Sequence, residues 1–252
     1  DQQAESLSKV RHLYLNGLTS ITDAQAESLS KVGDVSLGAL TSITDAQAKS
    51  LTRVGGLLFL PSLNSITDKQ AEILSRAAGL LHVPRSIKNQ IDEYKAQRRN
   101  EVAEINATGK ITDAQAESLS KVRHLYLNGL TSITDTQAEI LSKVSELGLN
   151  GLTSITDAQA KSLSKVGSLL LDGLTTITDQ QAESLSGVYS LSLNGLTTLT
   201  DAQAKSLGQI REFLVLAGLT SITDEQAESL SKIEQLAIAV DLQPLIDKFR
   251  NE

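Results

Sequence analysis

From Val10 to Val32 the apolar and polar positions run V-x-x-L-x-L-N-G-L-x-x-I-T-D-x-Q-A-x-x-L-x-x-V, and nearly the whole chain repeats that order. Leu13 and Leu15 alternate with Tyr14, the period of a strand that is apolar on one side. Leu18 and Ile21 follow at spacings of three, which suit a turning loop that drops one side chain per bend into a core. Thr22 with Gln25 three residues on is a capping-box pattern, and Asp23 in the first turn suits the positive end of a helix. Ala26 and Leu29 give that helix one narrow apolar stripe over about two turns. So short a helix is marginal alone and has to be held by packing.

The pattern keeps strict time. The Asp of the T-D-x-Q-A segment falls at Asp1, Asp23, Asp45, Asp68, Asp113, Asp135, Asp157, Asp179, Asp201 and Asp224, in steps of 22 or 23 with a single step of 45. A fixed period of this size built on leucine predicts a solenoid, in which stacked units share a core that no unit closes alone. The order V-x-x-L-x-L-x-x-L-x-x-I resembles the leucine-rich repeat, and T-D-x-Q-A-E-x-L resembles the second half of its short bacterial form. The resemblance implies an α/β repeat solenoid, a right-handed superhelix with a parallel sheet on its concave face and short helices on its convex face. One column departs from the family. Where a buried Asn is usual, this chain has Leu18, Leu40, Leu63, Leu130, Leu152 and Leu174. Asn stands two places earlier, at Asn16, Asn106, Asn128, Asn150 and Asn194. Either the polar ladder is shifted, or Asn-Gly makes a turn at positive φ; both readings are structural.

Along the chain, residues 1–84 form a first array that starts in mid-repeat, with strands centred on Leu15, Leu37, Leu60 and Val83. The pattern breaks at Pro84. Residues 85–100 read as an amphipathic cap or junction helix from about Ser86 to Asn100, with Ile87, Ile91 and Tyr94 on one face. Residues 101–240 form a second array with strands at Leu127, Leu149, Leu171, Leu193, Leu216 and Ile238. Residues 241–252 close it with a cap helix, Asp241 to Arg250, in which Leu242, Ile246 and Phe249 align on Ile87, Ile91 and Tyr94. The 155 residues between Ile87 and Leu242 suggest a larger duplication, with residues 1–100 and 101–252 as two abutting arrays. Alternatively, Val102 to Asn106 aligns on His12 to Asn16, so a strand is expected there, with one sheet register running through a single elongated body.

Composition narrows the function. The chain has 252 residues, 40% hydrophobic but 3% aromatic, which suits an elongated core of small aliphatic side chains. A net charge of -7 and no basic tract argue against nucleic acid. Without cysteine there are no disulfides, zinc-thiolate sites or thiol nucleophiles. No apolar run approaches a membrane span. The chain lacks Met and begins at Asp1, which reads as a processed product or a fragment, and the repeat type points to an extracellular or cell-surface location. Ser and Asp are plentiful but periodic, as in a scaffold, and no histidine stands near an irregular Ser-Asp pair. Neither an enzyme nor a cofactor is expected. His12, His82 and His124 fall on separate strands without an acidic cluster, against a metal site. Asn106-Ala-Thr108 matches a glycosylation sequon.

Function should sit where repeats differ on a fixed frame. The side chains that alternate with the core face the concave side, and the variable columns there contain Tyr14, Leu57, Phe59, Leu80, His82, Tyr126, Leu170, Phe213 and Val215. Leu57, Leu80 and Phe213 are apolar at positions a lone solenoid makes polar, and exposed apolar patches mark interfaces. The competing reading is that the extra residue of the 23-residue repeats shifts the register and buries Leu57 and Leu80. Arg11-His12-Tyr14 recurs as Arg123-His124-Tyr126, either a repeated binding spot or a recent duplication. The leading expectation is a non-catalytic scaffold that binds a protein or glycan through this face. The alternative is a structural protomer assembling end to end with copies of itself, through an open first strand at Leu13 and Leu15. A minor one is ice or crystal binding by the row Thr19, Thr41, Thr131, Thr153, Thr175 and Thr197.

Overall fold

The computed structural model describes residues 10–250. The chain divides after Asn100 into two compact units. In the first, strands β1 (His12–Tyr14), β2 (Asp34–Ser36), β3 (Leu57–Phe59) and β4 (Leu80–His82) alternate with helices α1 (Asp23–Leu29), α2 (Asp45–Leu51) and α3 (Asp68–Leu74). Helix α4 (Arg85–Thr108) follows and runs through the boundary. The second unit holds β5 (His124–Tyr126), β6 (Glu146–Gly148), β7 (Ser168–Leu170), β8 (Ser190–Ser192), β9 (Phe213–Leu216) and β10 (Gln235–Ile238). Its short helices are α5 (Asp113–Leu119), α6 (Asp135–Leu141), α7 (Asp157–Leu163), α8 (Asp179–Leu185), α9 (Asp201–Leu207) and α10 (Asp224–Leu230). A 3-10 turn, Val240–Leu242, leads into α11 (Gln243–Arg250).

All strand pairs are parallel and sequential, in a four-stranded and a six-stranded sheet. The register keeps the repeat: Leu125 pairs with Leu147, Leu147 with Leu169, Leu169 with Leu191 and Leu191 with Leu214. These leucines point inward with the loop leucines and the helix alanines and leucines, giving each unit one continuous apolar core. This is the leucine-rich-repeat architecture, an open solenoid of strand, loop and short helix.

Every short helix starts with the reciprocal capping box read from Thr and Gln. The same Gln does a second job that its spacing did not disclose. In α8, Gln181 Oε1 accepts from Thr178 N at 3.0 Å while its Nε2 donates to the carbonyl of Ile155, one repeat back, at 2.8 Å. Gln47, Gln70, Gln137, Gln159, Gln203 and Gln226 make the equivalent bond. A buried amide that accepts within its own repeat and donates to its neighbour ties adjacent helix starts together. No described buried side-chain nitrogen or oxygen lacks a partner.

The Asn column is a second ladder. Asn128 Oδ1 accepts from Asn150 N at 3.2 Å, Asn150 Oδ1 from Asp172 N at 3.1 Å, Asp172 Oδ1 from Asn194 N at 3.0 Å and Asn194 Oδ1 from Ala217 N at 3.0 Å. The shifted-ladder reading therefore holds, and the positive-φ reading does not. Among the described residues only Gly109 has positive φ. The glycine after the Asn serves close approach instead. A Cβ on Gly151 would lie 2.4 Å from the Leu130 carbonyl oxygen and 2.6 Å from that of Asn128.

The expected strand at Val102 to Asn106 is corrected. Those residues are the last turns of α4, which extends eight residues past the expected end at Asn100. The physical reason is legible afterwards: Ile87, Ile91, Tyr94, Arg98, Val102 and Ile105 come at steps of three and four, one helical face. Ile87, Ile91 and Tyr94 pack on the core of the first unit, and Val102 and Ile105 on that of the second. Half-buried Arg98 donates to the Ser75 hydroxyl and carbonyl at 3.1 and 2.9 Å. No sheet register passes through this helix, so the expectation of one continuous sheet fails with the strand. At the other end α11 buries Ile246, with Leu242 buried beside it and Phe249 against the same core.

Candidate binding face

In-register pairing turns alternate strand positions into columns on the outward face of each sheet. In the first unit Leu57 stands beside Leu80, and Phe59 beside His82. Leu80 is 76% exposed and Leu57 36%. The added residue of the 23-residue repeats therefore does not bury them. The rings of half-buried Phe59 and exposed His82 stack at 4.5 Å between centroids. Tyr14, exposed, stands two strands from Phe59, with Ser36 between them. Four of the predicted residues thus form one apolar strip on the last two strands of the first sheet.

The second unit spreads its candidates more widely. Tyr126, Leu170 and Val215 share one column, separated by Gly148 and Ser192. Leu170 and Val215 are half-buried, whereas Tyr126 and Phe213 are exposed. Tyr189 was missed by the sequence reading. It lies one residue before β8, outside the two columns that were followed, and is exposed, with its carbonyl accepting from Phe213 N at 3.5 Å. Its signal was there: the equivalent positions are Ser145, Gly167 and Glu212. Leu13, proposed for end-to-end assembly, is buried in β1, and Leu15 is partly buried against the same core.

The recurring Arg-His-x-Tyr motif occupies the outer strand of each sheet, β1 and β5, and each copy meets a carboxylate on the next strand. His12 Nδ1 lies 2.5 Å from Asp34 Oδ2, and Asp34 Oδ1 accepts from Leu57 N at 2.7 Å. His124 Nδ1 lies 2.7 Å from Glu146 Oε2, while the Tyr126 hydroxyl donates to Glu146 Oε1. The Leu57 N–H first, and then His12, lower the Asp34 pKa. The Tyr126 hydroxyl first, and then His124, lower that of Glu146; the same bond raises the pKa of Tyr126. Replacing Glu146 by Gln should therefore lower the Tyr126 pKa. An ultraviolet phenolate titration of E146Q against wild type checks this, and an unchanged curve would contradict the bond.

The three histidines lie on β1, β4 and β5, and among the described residues no group of three or more His, Cys, Asp or Glu is placed to hold a metal ion. No described helix is long and apolar enough to cross a membrane. Asn106, the sequon residue, has its side chain engaged: Oδ1 accepts from Gly129 N at 2.7 Å and Nδ2 donates to the Tyr126 carbonyl at 3.3 Å. The Thr row named above is exposed throughout.

No family model matches the chain, and no curated protein does. Among solved structures it is similar to an internalin (inlF) from Listeria monocytogenes, with 13% identity and a TM-score of 0.35 over 94% of this chain and 68% of that one. It is also similar to the functional domain of InlJ from Listeria monocytogenes, with 12% identity and a TM-score of 0.31 over 88% of this chain and 51% of that one. Superpositions this loose have no bearing on what this chain binds.

Proposed function

We propose that this chain is a non-catalytic repeat scaffold that holds a protein partner on the outward face of its sheets. The observation that carries the reading is the strip of Leu57, Leu80, Phe59 and His82, an apolar and aromatic surface on a sheet whose neighbouring helix starts are tied by the bonds of Gln47 and Gln70. A soluble protein leaves such a strip open where something docks on it, and aromatic anchors on a rigid base are the usual centres of binding energy. The same reading includes a location at a cell surface or outside the cell.

The test is retention of a cell-surface protein fraction on the immobilised chain, compared with L80S and F59A variants whose circular dichroism and Tm match wild type. The expected result is a retained protein whose affinity drops about tenfold or more in each variant, the range of an interface hot spot. Equal retention by wild type and both variants would remove the strip from the binding face. Retention abolished by competing free glycan but indifferent to these variants would replace the protein partner by a sugar.

A further inference from the structure

The apolar strip does not end at His82. The same residue forms one wall of a cleft of about 680 Å³ between the end of β4 and the first turns of α4, bounded by Pro84, Arg85, Lys88, Asn89 and Asp92. Residues 1–100 carry 12 basic and 10 acidic side chains, so the unit around it is mildly basic although the chain is -7 overall. Arg85 and Lys88 both line this cleft, and neither belongs to an ion pair among the described residues. The one acid there, Asp92, lies 3.7 Å from Lys95. Four basic side chains of the first unit do meet carboxylates, Arg53 on Glu27, Lys69 on Asp45, Arg76 on Glu72 and Lys95 on Asp92, and Arg85 and Lys88 are among those left to other partners. Two unneutralised cations beside an open apolar strip form a composite surface, with stacking and burial at one end and charge at the other.

We propose that this composite surface takes an acidic peptide segment of the partner, with apolar side chains on Leu57, Leu80 and Phe59 and a carboxylate between Arg85 and Lys88. The inference rests on the outward sheet face being the binding face and adds the chemistry of what sits there. Arg85 offers a planar fork suited to a carboxylate, Lys88 a second charge one helical turn on, and the Asn89 amide a neutral donor beside them. A basic segment would meet the same two charges as repulsion, so the cleft selects by sign as well as by fit.

The experiment uses the full chain and two fluorescein-labelled peptides, one alternating leucine with glutamate and one alternating leucine with lysine, followed by fluorescence anisotropy. The expected result is that the glutamate peptide binds about tenfold or more tightly than the lysine peptide and weakens as salt is raised. The double variant R85A/K88A should weaken the glutamate peptide several-fold, L80S should weaken it independently, and R211A in the second unit should leave it unchanged. Equal binding of both peptides, or no effect of R85A/K88A, overturns the acidic preference, and dependence on Leu80 in that case leaves the sheet face standing as a binding surface. No binding of the glutamate peptide overturns the inference outright, while the retention experiment above judges the face separately. Binding of phosphatidylserine vesicles that displaces the peptide would replace it by an anionic membrane.

Discussion

Gln181→Glu should cost about 2–4 kcal/mol of stability at neutral pH, the range for a buried group that loses its partner and gains a charge. The carboxylate can still accept from Thr178 N, but it has no hydrogen to give the Ile155 carbonyl, which Gln181 Nε2 meets at 2.8 Å. It would sit among side chains where Gln181 itself is 7% exposed. Burial against a carbonyl oxygen raises a carboxyl pKa. The sign follows: the penalty is full above the raised folded pKa, shrinks as pH falls through it, and is gone below the unfolded value of about 4.3. The protonated acid then donates where the amide did. Gln115→Glu is the matched control. Gln115 closes the same capping box, is half-buried and makes no bond to a preceding element among the described residues. Glutamate there should be neutral or slightly stabilising beside a helix N-terminus. Urea melts of both variants at pH 7 and pH 5 check the pair. Equal losses in both would mean that the cap, and not the ladder, is what Gln supplies.

The second large effect is Gly151→Ala, expected to destabilise by about 1–3 kcal/mol, the usual cost of overpacking. The added methyl has to displace backbone, because the atoms it meets are the carbonyl oxygens of Leu130 and Asn128 at 2.4 and 2.6 Å. The comparison is Gly17→Ala. Residues 16–26 and 150–160 are identical in sequence, N-G-L-T-S-I-T-D-A-Q-A. Around Gly17, however, nothing lies within 4 Å of an added Cβ, and its φ is not positive. Alanine there should be silent or stabilise by up to about 1 kcal/mol through the unfolded chain. Differential scanning calorimetry separates the two, and equal shifts in Tm would show that local turn conformation sets the requirement for glycine, in place of contact between repeats.

By itself the sequence determined the repeat, the parallel sheets, the capping boxes and the inward leucines, because each follows from a period that one repeat carries alone. It also marked Leu57, Leu80 and Phe213 as out of place on a solvated face. It did not determine what the polar residues do between repeats. Gln181 reads as a cap in its own repeat, and its second bond reaches 26 residues back, which only stacking supplies. Asn150 and Gly151 left a ladder and a turn both open, and stacking decided between them: Asn150 Oδ1 accepts from Asp172 N one repeat ahead, and Gly151 lies against the Leu130 carbonyl one repeat behind. Tertiary structure also decided residues 102–106. Their alternation fits a strand read in isolation, but the apolar step continues from Ile87 to Ile105 along one helix, and packing on a core at each end holds that helix together. Arg85 and Lys88 stand three and six residues after His82, so their nearness to it was legible in sequence; that neither meets a carboxylate among the described residues was decided by the fold.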